Sequence, residues 1–155
     1  MVSFSPVEKS LWLQKVCEGN FVRLMRLAPD LPSLGVVAKA KVIGKPELYL
    51  RLIERSPFTL ILELTHDFSG AYASLMEPAV RLRVCLDSRT VEMLSDFARA
   101  HVYEVFRHTA TPECVLDYKW NLNYFLSRWL DHCLECDYHF VRGVEKEFAM
   151  DLVSA

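Results

Sequence analysis

The sequence predicts an α+β fold, an antiparallel sheet of about five strands with an N-terminal and a C-terminal helix packed on one face. Three observations predict it. Through the middle of the chain apolar and polar residues alternate, the period of a half-buried strand. Toward both ends apolar residues fall instead at the three-and-four spacing of an amphipathic helix. The 155 residues, 52% hydrophobic and 25% charged, hold enough apolar material for one core and leave little room for a second, so residues 1–155 read as a single domain.

Ser5-Pro6-Val7-Glu8 starts the first helix: Ser5 can cap, Pro6 suits the first helical position, and Glu8 is placed to close a capping box. The helix should pass through Leu11, Trp12 and Lys15 to about Glu18. Gly19-Asn20 then either ends it and caps a short second turn, Phe21 to Leu27, or leaves one kinked helix. Pro29 and Pro32 stop the helical segment in either case.

Val36, Ala38, Ala40 and Val42 share one face of a first strand. After the turn at Gly44-Lys45-Pro46, Leu48, Leu50 and Leu52 repeat the alternation, and Phe58, Leu60, Leu62 and Leu64 repeat it again. These three strands read as a meander. Residues 67 to 78 read as a loop or short helical excursion. Val80 to Leu86 and Val91 to Ser95, joined by Asp87-Ser88-Arg89, form a second hairpin. Residues 97–108 fit a helix or an edge strand, and the strand is the reading adopted. Thr111-Pro112-Glu113 starts the last helix, whose stripe Tyr118, Leu122, Phe125, Trp129 and Cys133, widened by Leu126 and Leu130, marks a long element lying on the sheet and ending near Cys136.

The formal net charge of -2 gives no reason to invoke nucleic acid. Residues 1–55 carry nine Lys or Arg against five Asp or Glu, and the remainder carries nine against fifteen, which reads as two halves attracting each other within one fold. The start of the chain has neither the basic nor the apolar features of a secretion signal, and no stretch approaches a membrane span. Five cysteines, at 17, 85, 114, 133 and 136, cannot all pair within the chain and read as reduced thiols of a cytoplasmic protein.

The stretch Cys17-Glu18-Gly19-Asn20-Phe21, followed by Leu24, Arg26, Leu27 and Pro29, resembles the N-terminal signature of the YqiB-like bacterial proteins, a domain of unknown function. The last helix is similar as well, with Asp117, Lys119, Asn123, Phe125, Leu126, Trp129, Leu130, Cys133 and Leu134 at the family's spacing. Arg83, Asp87 and Glu92 match its central hairpin. The likeness extends over about residues 11–136 and leaves 137–155 as a peripheral tail. Where the family has Tyr-His before the hairpin Asp, this chain has Cys85-Leu86, so no His-based chemistry carries over. The resemblance implies a bacterial cytosolic protein and supplies no activity, substrate or cofactor.

Three constellations hold chemistry. Cys133-Leu134-Glu135-Cys136, flanked by His132 and His139, has a spacing that lets two thiolates meet on zinc or cycle a disulfide. A structural zinc needs four ligands, however, and a redox pair usually opens a helix, whereas this one closes a helix among carboxylates. Cys133 therefore reads as core and Cys136 as incidental. Asp117, Lys119 and Asn123 are the second. Lys119 and Asn123, one turn apart, either hold an anion or a carbonyl together, or tie the helix to a strand. The third is the outer sheet face, where Tyr49, Arg51, Glu63, Arg81, Arg83 and Glu92 should project, as a recognition surface or as exposed cross-strand pairs. His66, His101 and His108 are isolated and read as surface or packing residues. No glycine-rich phosphate loop or Ser or Cys nucleophile motif is present.

These observations favour a non-enzymatic binding or adaptor protein without a cofactor, using Arg83, Asp87, Asp117, Lys119 and Asn123 toward a ligand, a protein partner or a second copy. The alternatives are a sensor or weak enzyme that holds a small anion such as a nucleotide on Arg83, Lys119 and Asn123, and a zinc or thiol-redox site at Cys133 and Cys136.

Overall fold

A continuous helix, α1 (Pro6–Leu27), opens the computed structural model, which describes residues 5–67, 79–96 and 112–141. A short 3-10 turn (Leu31–Ser33) leads to five strands: β1 (Val37–Ala40), β2 (Glu47–Arg55), β3 (Thr59–Asp67), β4 (Val80–Cys85) and β5 (Thr90–Asp96). They pair antiparallel in chain order, and α2 (Pro112–Glu135) closes the architecture. This is the α+β arrangement the alternation predicts. The reading of 97–108 as a strand, the loop over 68–78, and His101 and His108 fall outside the described residues.

The start of α1 forms as its residues dictate. Glu8 Oε2 accepts the Ser5 amide at 2.8 Å and Ser5 Oγ accepts the Glu8 amide at 3.3 Å, a complete capping box. The expected break at Gly19-Asn20 does not form. Asn20 lies on the stripe with Cys17, Phe21, Leu24 and Leu27 that faces the core, and its side chain donates to the Asn123 carbonyl at 3.1 Å. Tertiary contact on that stripe outweighs the weak helix preference of Gly and Asn.

Register aligns the inward residues of four neighbouring strands at a time in rows on a common inner face. Ala38, Leu50, Leu64 and Val80 stand in one row, and Leu52, Leu62, Leu82 and Met93 in the next. Leu24 and Leu27 of α1 and Leu126 and Leu130 of α2 join this face in one core. His66 is buried there too, where Trp129 Nε1 donates to its Nδ1 at 3.2 Å, so it is a packing residue.

Four expectations need correction at the rims. Val36 is 62% exposed because β1 begins one residue later, and Phe58 is 63% exposed because it lies in the β2–β3 turn. Phe125 is 53% exposed: on α2 the buried stripe turns through Leu122, Leu126, Trp129 and Cys133 and leaves Phe125 on its margin. The tail expected to be peripheral begins in the core. Tyr138 and Phe140 are buried, Tyr138 Oη donates to the Pro46 carbonyl, and the Phe140 amide donates to the Leu27 carbonyl at 2.8 Å, capping the end of α1. Among the described residues no helix is long and apolar enough to cross a membrane.

Candidate functional site

Three ties join α1 to α2: Lys9 to Asp117 at 3.0 Å, Asn20 to Asn123, and Arg23 to Asp131 at 2.8 Å. They advance in the same direction along both helices, so α1 and α2 run parallel. The whole sheet serves as the crossover that parallel neighbours require. The two ion pairs join positions the same 108 residues apart, so the helices are aligned turn for turn. Trp12 and Trp120 obey the same offset, each one turn beyond its ion-paired residue.

These four side chains line a half-open cleft of about 380 Å³ between the N-terminal halves of the helices. Its size falls within the range of small-molecule sites. The two indoles give it flat apolar walls, and the Lys9–Asp117 pair gives it a polar wall. Trp120 is held by Tyr124, whose ring stacks on it with centroids 6.0 Å apart, and Lys15 places its ammonium 5.3 Å from the Trp12 ring. Lys9 is largely covered, at 23% exposure, while Asp117 is 57% exposed. Trp12 itself is half exposed, as is Leu11, and Val7 is largely exposed, so this part of α1 is outside the core stripe.

Of the residues expected to form a site, only Asp117 reaches this cleft. Asn123 is buried and helps to hold the fold: Oδ1 accepts the Met93 amide at 2.8 Å, Nδ2 donates to the Lys119 carbonyl at 2.8 Å, and its own carbonyl accepts from Asn20. These bonds tie the helix to a strand and to α1, the first of which is one of the two roles expected of it. Asp87 serves the β4–β5 turn, where Oδ1 accepts the Ser88 amide at 2.9 Å. Arg83 and Lys119 share Glu92, at 3.9 and 3.5 Å.

The outer face carries the expected cross-strand pairs. Glu63 lies between Arg51 at 3.0 Å and Arg81 at 3.7 Å, and Glu47 between Lys39 at 3.0 Å and Lys41 at 3.7 Å. Burial alone would raise the Glu47 carboxyl, but hydrogen bonds from Tyr49 and Lys39 and the charges of Lys39 and Lys41 hold it below the usual carboxylate range.

At the end of α2, Cys133 is fully buried in the core and Cys136 is half-buried, its Sγ 3.6 Å from His132 Nε2. The Tyr138 amide donates to the Cys133 carbonyl and the Asp137 amide to that of Leu134, with Asp137 at φ 66°. That is a Schellman ending, in which Cys133 and Cys136 occupy structural positions. Cys17, the buried thiol of α1, is pushed up to about 12 by burial and the Glu92 carboxylate, against the opposing charge of Lys119. Among the described residues no group of three or more His, Cys, Asp or Glu side chains is placed to hold a metal ion.

Sequence reasoning passed over Lys9, Trp12 and Trp120 as site residues. A signal existed, since Lys9 and Trp12 repeat the spacing of Asp117 and Trp120, but it gains meaning only once the helices are known to be parallel. No curated protein and no solved structure matches the chain. The description "protein of unknown function (DUF1249)" matches residues 23–139, which include most of the fold and the α2 half of the cleft, and the chain therefore belongs to the DUF1249 family.

Proposed function

We propose that this protein is a non-enzymatic binding module whose ligand site is the cleft between α1 and α2. One observation carries the reading: two indoles and an ion pair, from corresponding turns of two aligned helices, face a cavity of about 380 Å³. Aromatic walls with a few polar groups are what a small-molecule site needs, because the walls supply area and the polar groups fix orientation. The bacterial, cytoplasmic and YqiB-like setting belongs to the same proposal. An adaptor role through the outer sheet face, toward a protein partner or a second copy, is a separate reading favoured by the half-exposed guanidinium groups of Arg51 and Arg83. Light scattering across a concentration series tests its homodimer form.

The test of the cleft is a thermal-shift screen against metals, nucleotides and common metabolites, run on the wild type, Trp120→Ala and Arg83→Ala. Compounds that raise the wild-type midpoint are expected to raise that of Arg83→Ala equally and to leave Trp120→Ala unmoved. Hits that keep their full effect in Trp120→Ala and lose it in Arg83→Ala would move the site to the outer face.

A further inference from the structure

The cleft's charges narrow the chemistry of its occupant, and this step rests on the cleft reading above. Among the described residues Lys9 and Asp117 line it, one ammonium facing one carboxylate. Their solvation differs in a telling way. Lys9 is largely covered and its one ion-pair partner is Asp117 at 3.0 Å, whereas Asp117 is more than half exposed and can turn into water at small cost. An incoming anion can take Asp117's place on Lys9. An incoming cation would have to take Lys9's place on Asp117 and leave a largely covered ammonium unpaired.

We infer that the cleft takes a small planar aromatic molecule bearing one anionic group, the ring lying against Trp12 and Trp120 and the anion displacing Asp117 from Lys9. The flat walls suit a ring because stacked aromatic pairs gain beyond the area they bury. An ammonium of a largely covered Lys9 offers an anion a charge-assisted hydrogen bond in a partly dry setting. Asp117 then acts as a stand-in for the ligand's anion, keeping Lys9 paired while the cleft is empty.

The inference makes an unusual demand: removing the Asp117 charge should strengthen binding. The experiment titrates three probes of like size, phenylacetate, benzyl alcohol and benzyltrimethylammonium, into the wild type, Asp117→Asn, Lys9→Met and Trp120→Ala, following tryptophan fluorescence and calorimetric heat. Phenylacetate is expected to bind with Kd on the order of millimolar, as suits its size. The neutral and cationic probes should bind roughly tenfold more weakly or not at all. Asp117→Asn should tighten phenylacetate several-fold, and Lys9→Met should weaken it. The assignment is overturned by tighter binding of the cation, by weaker or unchanged phenylacetate binding in Asp117→Asn, or by no binding of any probe. Neutral or cationic probes that bind the wild type and not Trp120→Ala would remove the ligand class and leave the cleft standing. Phenylacetate binding that Trp120→Ala does not alter would remove the cleft itself.

Discussion

Asn123 Oδ1 accepts the backbone amide of Met93 at 2.8 Å, and through that bond a helix closes the open edge of the sheet. Among the described residues β5 is the last strand in the order, and its outward amides have no strand partner there. A buried side chain of α2 answers one of them. Replacing Asn123 by Ala leaves the Met93 amide buried and unpaired and should cost about 2–3 kcal/mol, read as a lowered urea midpoint with unchanged slope. Lys119→Ala, which removes only a half-exposed ion pair with Glu92, should cost less than about 1 kcal/mol. Equal costs would place Asn123 outside the frame.

Asp137 holds a left-handed conformation, φ 66°, at the end of α2. Glycine adopts it without a Cβ penalty, so Asp137→Gly should stabilise the protein by about 0.5–1 kcal/mol in the same urea experiment. A destabilised variant would mean that the carboxylate contributes more than the backbone strain costs.

Gly19 lies inside α1, where a Cβ would come within 2.7 Å of Arg23 Nη1, the far end of a flexible side chain. Arg23 can keep its Nε contact to Asp131 while that tip moves. Gly19→Ala should then gain about 0.5–1 kcal/mol from helix propensity. A loss would show that the Arg23–Asp131 tie cannot yield.

The Cys17 thiol, raised from 9.0 to about 12, stays protonated in the native state after an unfolded chain has lost its proton. Its contribution to stability is therefore complete below about pH 9 and is lost as pH rises through 12. Wild-type stability should fall more steeply across that window than that of Cys17→Ala, measured as the difference between the two urea midpoints at each pH. Native Cys17 should also resist alkylation at neutral pH and react once the chain is unfolded. Equal slopes, or rapid native labelling, would contradict this.

Much of the fold could be read from residues alone, and the reason is local. Alternation in Leu48, Leu50 and Leu60, Leu62, Leu64 sets the face of each strand, and register follows from short turns. Ser5 and Glu8 fix the start of α1 without help from any distant residue. What could not be read depends on distant partners. Asn20 continues a helix that its own preference would end, because Asn123 waits on α2. Tyr138 and Phe140 are core residues because α1 ends beneath them at Leu27. The cleft is illegible for the same reason: Lys9 and Trp12 meet Asp117 and Trp120 only across a parallel helix pair assembled by the intervening sheet.

The chain's three tryptophans give the most direct measurement of where a ligand sits, since each indole N–H has its own signal in a proton–nitrogen correlation spectrum. Trp12 and Trp120 line the cleft, while Trp129 is buried and donates to His66. Titration with phenylacetate should move the Trp12 and Trp120 indole signals together, saturably, and leave that of Trp129 in place. Movement of Trp129 instead, or of the Arg83 and Lys119 backbone signals with both cleft indoles unmoved, would contradict the account.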